Sequence, residues 1–408
     1  MIHELVRRVP RVRASTSASD TAAATPAAQL RDARLAGLAV LVVFVLARLV
    51  RVHGPGGFVV AGTRFVGSGA PGELRVGRGG GYDGQFVYRL ALDPFTQNVR
   101  GHHILLDNAG YRQQRIVTAL LTHVLAWLPG LGIALALILV NTLAVGVAIW
   151  VGTRLVADAG AHPGWGLVLA APACIPISVG RDLTEPVAWA SVLCALLLAR
   201  RSRWPLAAAA LTVAVLARET SLLIVAGLGA GAAWDAWRAR QEHRPMPWPA
   251  LWLLVPIAVE AAWQGWLAHI WGVLPIRTGP SNTAASTPLF GVLRSMFYVT
   301  PGGNALRGSV FVLERFATLA LIAAAAWLIW RRRTRITVGE GVAWLLAVGL
   351  AVSVRRWIND VQFLRATYES WALSVLVLVS STDRRARLVL AGAGSVTLGV
   401  AAMYVALV

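Results

Sequence analysis

Apolar residues occur along this chain in long blocks separated by short polar turns. Blocks rich in Ala, Leu and Val occupy 35–51, 132–156, 164–179, 183–200, 204–217, 220–237, 248–271, 310–330, 338–354, 361–380 and 386–407. A helix needs about 20 mostly apolar residues to cross the hydrocarbon core of a bilayer. The pattern therefore predicts an all-α, polytopic membrane protein with about eleven transmembrane helices. The pairs of blocks around residues 180 and 218 are short. Short, polar-tipped segments are tolerated where they line a cavity enclosed by protein.

The polar segments fix an orientation. Residues 1–34 begin with Arg7, Arg8, Arg11 and Arg13 and continue into a Ser/Thr/Ala/Pro tract. They read as a disordered cytoplasmic tail, and the first apolar block reads as an uncleaved anchor. The stretch 112–128 is ambiguous: it either spans, or lies at the interface until Pro129 and Gly130 stop it. The arginines decide. If 112–128 lies flat, five basic clusters face the cytoplasm: the N-terminal one, Arg200/Arg201/Arg203, Arg238/Arg240/Arg244, Arg331/Arg332/Arg333/Arg335 and Arg384/Arg385/Arg387. That is what the positive-inside rule requires. The expected transmembrane domain, 35–408, then has its N-terminus inside and its C-terminus outside. A first outer loop at 52–131 carries the interfacial helix, and a second follows at 272–309. The turns at 181–186, 218–220 and 355–360 fall on the same outer face.

Composition agrees. The 408 residues are 57% hydrophobic and 14% charged, far too apolar for a soluble protein of this size. The net charge of +19 comes from arginine alone, since the chain has no lysine. Its basic residues sit in clusters between apolar runs, which marks cytoplasmic loops and not a nucleic-acid surface. Cys174 and Cys194 lie inside apolar runs and form no disulfide or metal pattern. The eight histidines show no HxxxH or HExxH spacing.

The chemistry gathers at the outer turns. The glycine-rich run ending in Gly79-Gly80-Gly81 reads first as an irregular loop. It lacks the Lys-Ser/Thr of a P-loop. Tyr82-Asp83-Gly84-Gln85 follows, at the start of a segment with helical spacing. Asp83 is either an N-cap or a carboxylate held at the membrane surface as a general base or cation ligand. Arg112 and Arg115 offer donor forks suited to phosphate; the alternative is snorkelling to headgroups. Arg181, Asp182 and Glu185 sit between two short blocks, as Arg218 and Glu219 do. Charges so placed are functional or paired internally. Arg365 and Glu369, at i and i+4 in one block, are expected to pair with each other. Together these clusters predict an arginine-rich pocket at the outer leaflet with a few carboxylates, suited to a lipid-linked phosphate.

Four stretches carry a resemblance to a known family. They are Gly81-Tyr82-Asp83-Gly84-Gln85-Phe86-Val87-Tyr88-Arg89 with Asp93-Pro94, Tyr111-Arg112-Gln113-Gln114-Arg115, Leu183-Thr184-Glu185-Pro186 and Ala217-Arg218-Glu219-Thr220. Over roughly 35–240 the chain resembles a bacterial multi-span group within the GT-C membrane glycosyltransferases, distantly like the GPI-anchor mannosyltransferases. The resemblance implies transfer of a sugar from a polyprenyl-phosphate donor to a glycan, lipid or protein acceptor of the cell envelope, at the outer face of the membrane. It implies that Asp83 acts as catalytic base. Tyr82, Gln85, Arg89, Asp93, Arg112, Arg115, Arg181, Asp182, Glu185, Arg218 and Glu219 are the expected donor- or substrate-binding residues. A divalent cation, Mg or Mn, would sit at Asp83 and Asp93; the adjacent acid pair of some family members is missing here. The alternative reading is a transporter or flippase of an anionic lipid-linked substrate, which would use the same arginines. It predicts inverted repeats and polar residues leading inward, and neither is seen in the sequence.

Overall fold

The computed structural model describes residues 25–243, 248–278, 286–296, 305–354, 357, 360–381 and 383–407. Helices dominate. Long apolar helices are α1 (Pro26–Arg51), α5 (Ile133–Asp158), α11 (Leu254–Trp271), α13 (Ala305–Trp330) and α16 (Arg384–Leu407). These five are long and apolar enough to cross a membrane. Between them run α6 (Trp165–Ala170), α7 (Cys174–Val179), α8 (Glu185–Arg200), α9 (Trp204–Ala217), α10 (Leu222–Gln241), α14 (Val338–Val352) and α15 (Asp360–Val379). Three short helices, α2 (Gly84–Leu92), α3 (Ala109–Gln113) and α4 (Ile116–Leu125), belong to the segment 52–131, and α12 (Phe290–Met296) to the segment 272–309.

Several boundaries differ from the sequence expectation. The tail does not extend to residue 34: Thr25 accepts a bond from the Ala28 amide, Pro26 opens α1, and 26–34 are already helical. The apolar block 164–179 is not one helix, because Ala171 leaves the helical region (φ −124°, ψ 72°) ahead of Pro172, separating α6 from α7. The stretch 112–128 likewise breaks at Arg115 (φ −96°, ψ 55°). The resulting α4 has ten residues, about 15 Å of helix, half of what a bilayer core needs. Arg244, residues 279–285 and 297–304 of the second outer loop, and Arg355, Arg356, Ile358 and Asn359 lie outside the described residues.

Small residues let the helices approach. A Cβ at Gly227 would stand 2.5 Å from Ala343, and one at Gly231 2.7 Å from Gly339, so α10 and α14 meet backbone to backbone. Such contacts replace hydrophobic association inside a lipid phase. At one end of this pair Glu340 closes a capping box with Thr337 and accepts Arg200 at 2.7 Å.

The segment 52–131 is an ordered cap and not an irregular tether. Val59, Ala61, Val66, Leu74, Tyr88 and Ile104 form a small core with Ala134 and Leu137 of α5. Phe86, Leu90 and Ala91 of α2 pack with Ala119 of α4. Two-residue strand pairs, Ala61–Gly62 with Val76–Gly77 and Arg100–Gly101 with Ile104–Leu105, tie the loop to itself. Glycine is needed where the segments cross: Gly81 has φ +62°, and a Cβ on Gly62 would stand 2.2 Å from the Gly81 nitrogen. The start of the segment 272–309 is joined to the cap, since Thr278 donates its hydroxyl to Asn108, the N-cap of α3, at 3.2 Å.

Candidate functional site

Asp83 stands at the N-terminus of α2, but it does not cap it. Its backbone is already helical (φ −59°, ψ −25°), and its side chain makes no cap bond. An N-cap needs non-helical backbone to turn its oxygen back on the first amides. The carboxylate instead points at two guanidinium groups: Arg112 of α3 at 2.9 Å and Arg365 of α15 at 2.6 Å. Gly84 makes this placement possible. A Cβ there would lie 2.3 Å from the Arg181 carbonyl oxygen, so α2 is pressed against the turn between α7 and α8.

From Asp83 an ionic chain runs inward. Arg365 also holds Glu185, the first residue of α8, at 2.6 Å. Glu185 binds Arg218 in addition, and accepts Ser178 at 3.2 Å. Arg218 reaches Glu369 at 3.6 Å and donates to the Arg365 carbonyl. Thr220 donates to Glu369. Glu185 is fully buried, and Arg218 and Glu369 nearly so. A buried charge in an apolar surrounding costs several kcal/mol unless paired and hydrogen-bonded, and here Arg365, Glu185, Arg218 and Glu369 are each both.

The Tyr111-Arg112-Gln113-Gln114-Arg115 stretch is the hub of the cap. Because the helix breaks between α3 and α4, its side chains leave in different directions. Arg112 goes to Asp83 and to Asp107, the latter by two bonds of 2.7 and 2.8 Å. Gln113 donates to the Pro94 and Thr96 carbonyls and accepts from the Trp271 indole. Gln114 accepts from Gln264 of α11 at 3.2 Å. Arg115 makes a forked pair with Glu219 at 2.5 and 2.8 Å and donates to the Tyr111 hydroxyl at 3.1 Å. The sequence singled out the two arginines. It missed the two glutamines, which tie the hub to the loop after α2 and to α11.

Electrostatics follow from these contacts. Burial pushes the Asp83 carboxyl up, but Arg365 and Arg112 outweigh it and hold the group well below the usual carboxylate range. Glu219 is likewise raised by burial and lowered further by Arg115, to about 2. Arg112 and Arg115 are raised, because their carboxylates overcome desolvation.

The other expected site residues sort themselves. Tyr82 joins the site through its ring: the Arg181 guanidinium lies 4.2 Å from the centroid and that of Arg365 5.7 Å. Gln85 is structural. It accepts from the Gly62 amide at 3.0 Å and donates to the Gly80 carbonyl at 2.8 Å, pinning the glycine crossing. Arg89 and Asp93 do not reach Asp83. Arg89 is buried on α2, donates to Thr96 at 3.0 Å and approaches Asp93 at 3.9 Å, clamping the loop that follows. Asp182 is buried at φ +50° beside Asn141 of α5, in no ion pair among the described residues. Glu185 does pair with arginine, but with Arg218 and Arg365 and not with its neighbour Arg181. Arg365 and Glu369 do not pair with each other: each faces a partner on another element.

Two further expectations change. Asp83 and Asp93 flank the nine residues of α2, which places them about 15 Å apart, so they do not share a cation. Each Asp83 oxygen already carries an arginine, and no cluster of three His, Cys, Asp or Glu occurs among the described residues. The donor set does not suit a divalent cation. Nor is the pocket rich in unmatched arginine. Arg112, Arg115, Arg218 and Arg365 meet Asp83, Asp107, Glu185, Glu219 and Glu369, so charge is closely balanced. The open space beside Asp83 is about 20 Å³, enough for roughly one water molecule. No protein-family model matches this chain, and no curated protein is similar to it.

Proposed function

We propose that this protein is a GT-C-like glycosyltransferase that moves a sugar from a polyprenyl-phosphate donor to a cell-envelope acceptor at the outer face of the plasma membrane. The observation that carries this reading is the Asp83 site itself. One carboxylate from the first outer loop is gripped by arginines of two distant elements, and the grip continues through Glu185 and Arg218 to the ends of short helices.

The resting geometry assigns roles. Held between Arg112 and Arg365, Asp83 is a weak base. A donor phosphate competes for the same guanidinium groups. As it takes them, Asp83 loses its counter-charges and becomes basic enough to accept the proton of an acceptor hydroxyl. Arg112, Arg115 and Arg218, with Arg181 alongside Tyr82, stabilise the departing phosphate. Glu185 and Glu219 hold Arg218, Arg365 and Arg115 in place. The small space at Asp83 means that substrate enters by parting ion pairs and not by filling a preformed cleft. No step is routed through a metal.

The topology belongs to the same proposal: eleven spans, N-terminus inside, with α3 and α4 lying on the outer interface. The ten-residue length of α4 supports this, as do Leu121, Val124, Trp127 and Leu128, which are exposed along it and after it. A Leu120→Cys variant in a background free of the native cysteines should react with an impermeant maleimide from outside; labelling only from the cytoplasmic side overturns the topology.

The activity test uses purified protein and a labelled polyprenyl-phosphate sugar. Asp83→Asn should lower transfer by at least about 100-fold, the lower end of what a positioned base contributes, with helicity retained. Full turnover by that variant removes Asp83 from the mechanism.

A further inference from the structure

A second cavity lies away from Asp83. It lies between α1, α5, the α6–α7 pair and α16, and measures about 600 Å³. That falls within the roughly 300–1,000 Å³ typical of ligand sites. Its walls include Val40 and Phe44 of α1, Ile149 of α5, Val179 of α7 and Ala401 of α16. Apart from the Trp165 indole, only His162 and Thr397 bring a polar group to it.

One end of this dry space meets cations. Three of its walls each carry a polar or aromatic residue one turn or less beyond the cavity: Phe44 precedes Arg48, Ala401 precedes Tyr404, and Val179 precedes Arg181. These three residues converge. Arg48 donates to the Tyr404 carbonyl at 3.4 Å, and its guanidinium lies 5.1 Å from the Tyr404 ring. Arg181 lies 5.3 Å from the same ring and 4.2 Å from that of Tyr82. Tyr82 in turn faces Arg365, the partner of Asp83. Cations and rings thus alternate from the end of the cavity to the candidate site.

Arg48 is 1% exposed in the last turn of the apolar helix α1, and no carboxylate pairs with it among the described residues. Its Nε has no acceptor. An arginine in a span is expensive and marks a functional position or a missing counter-ion. An apolar chamber ending in a cation without an anion matches an amphiphile with an anionic head. The volume limits the tail. At about 30 Å³ per carbon, near a water's share of liquid volume, the chamber holds roughly twenty carbons, one chain and not two.

We propose that this cavity binds the hydrocarbon chain of a single-chain lipid phosphate, with the phosphate at Arg48 and Arg181. This deepens the glycosyltransferase reading by giving its donor an entry berth, from which the phosphate passes along the Arg181–Tyr82–Arg365 series to the arginines at Asp83. It rests on that reading only for what happens after binding.

A photoreactive diazirine analogue of geranylgeranyl monophosphate, added to the full chain in nanodiscs, tests it, with adducts mapped by peptide mass spectrometry. Adducts should fall on α1 around Val40–Phe44 and on α16 around Thr397–Ala401. Arg48→Gln should weaken saturable labelling at least tenfold, and Arg48→Lys should restore part of it. Val40→Trp fills the chamber from a half-exposed wall position that folding tolerates, and should abolish those adducts. The neutral geranylgeraniol analogue should label without saturation. Equal saturable labelling by the alcohol overturns the proposal as a general lipid crevice. So does displacement by dioleoyl phosphatidic acid as effective as by unlabelled geranylgeranyl phosphate. Adducts that map elsewhere, or that persist in Val40→Trp, overturn it too. Asp83→Asn should keep the labelling. Labelling without sugar transfer by the parent protein therefore sinks the transferase reading and leaves this one standing.

Discussion

Replacing Glu219 by Gln should destabilise the protein by about 2–3 kcal/mol at neutral pH, and the loss should fade in acid. Glu219 joins the turn between α9 and α10 to the hub at α3 and α4 through its forked pair with Arg115. Its carboxyl is lowered from 4.5 to about 2, against burial, chiefly by that arginine. At 1.36 kcal/mol per pKa unit the shift is worth about 3 kcal/mol. The side chain keeps 18% exposure, so solvent trims the figure. The sign follows from linkage. The folded pKa lies below the unfolded one, so the contribution is complete above about pH 4.5 and disappears as pH falls toward 2. Glutamine keeps the shape and an acceptor but cannot titrate. The stability gap between parent and variant should therefore be full at pH 7, about half closed near pH 3, and small below that. Reversible unfolding in mixed micelles at several pH values measures it. A second variant, Arg115→Met with Glu219→Gln, should recover part of the loss, because the Glu219→Gln change alone leaves a buried guanidinium without its counter-charge. An unchanged midpoint at pH 7, or a gap that stays constant down to pH 3, refutes the argument that this ion pair anchors the hub.

Three other outcomes are expected. Gly84→Ala should cost sugar transfer while Asp83 stays in the chain, because the new Cβ meets the Arg181 and Val59 carbonyls and pushes α2 away; parent-like turnover would contradict the close approach. Arg89→Met should leave a protein whose segment 93–106 is cut faster by protease, since Thr96 and Asp93 lose their clamp; unchanged cleavage would show that Gln113 holds the loop alone. Gly231→Leu should destabilise the protein by about 1–3 kcal/mol, since α10 and α14 touch through Gly231 and Gly339; an unaltered unfolding midpoint would show that this seam carries no packing load.

What the sequence determined by itself is what a local period can encode. Apolar block length gave the positions of the helices, since a helix of a given length is a property of consecutive residues. Glycine and proline gave the breaks in part: Pro129 and Gly130 fall between α4 and α5, whereas Pro26, which opens α1, and Pro172, which parts α6 from α7, were hidden inside a tail and a continuous apolar block. The polar turns that meet at the site were also legible, because charge near an apolar block is conspicuous.

The tertiary structure alone decided which of those charges meet. Arg365 and Glu369 sit one turn apart, and neighbour reasoning pairs them; the fold brings Asp83, 282 positions away, to Arg365 and gives Glu369 to Arg218. Asp83 and Asp93 read as two halves of one site, but the helix between them separates them. Arg89 read as a ligand group, but it lies on a face of α2 turned to the protein's own loop. Arg48 and Tyr404 passed for ordinary span residues, because nothing in the local pattern of α1 or α16 records that the two meet and that Arg181, after α7, faces the same Tyr404 ring. Local spacing determines which faces of an element are polar. Packing determines what those faces touch, and a buried charge takes its meaning from its partner.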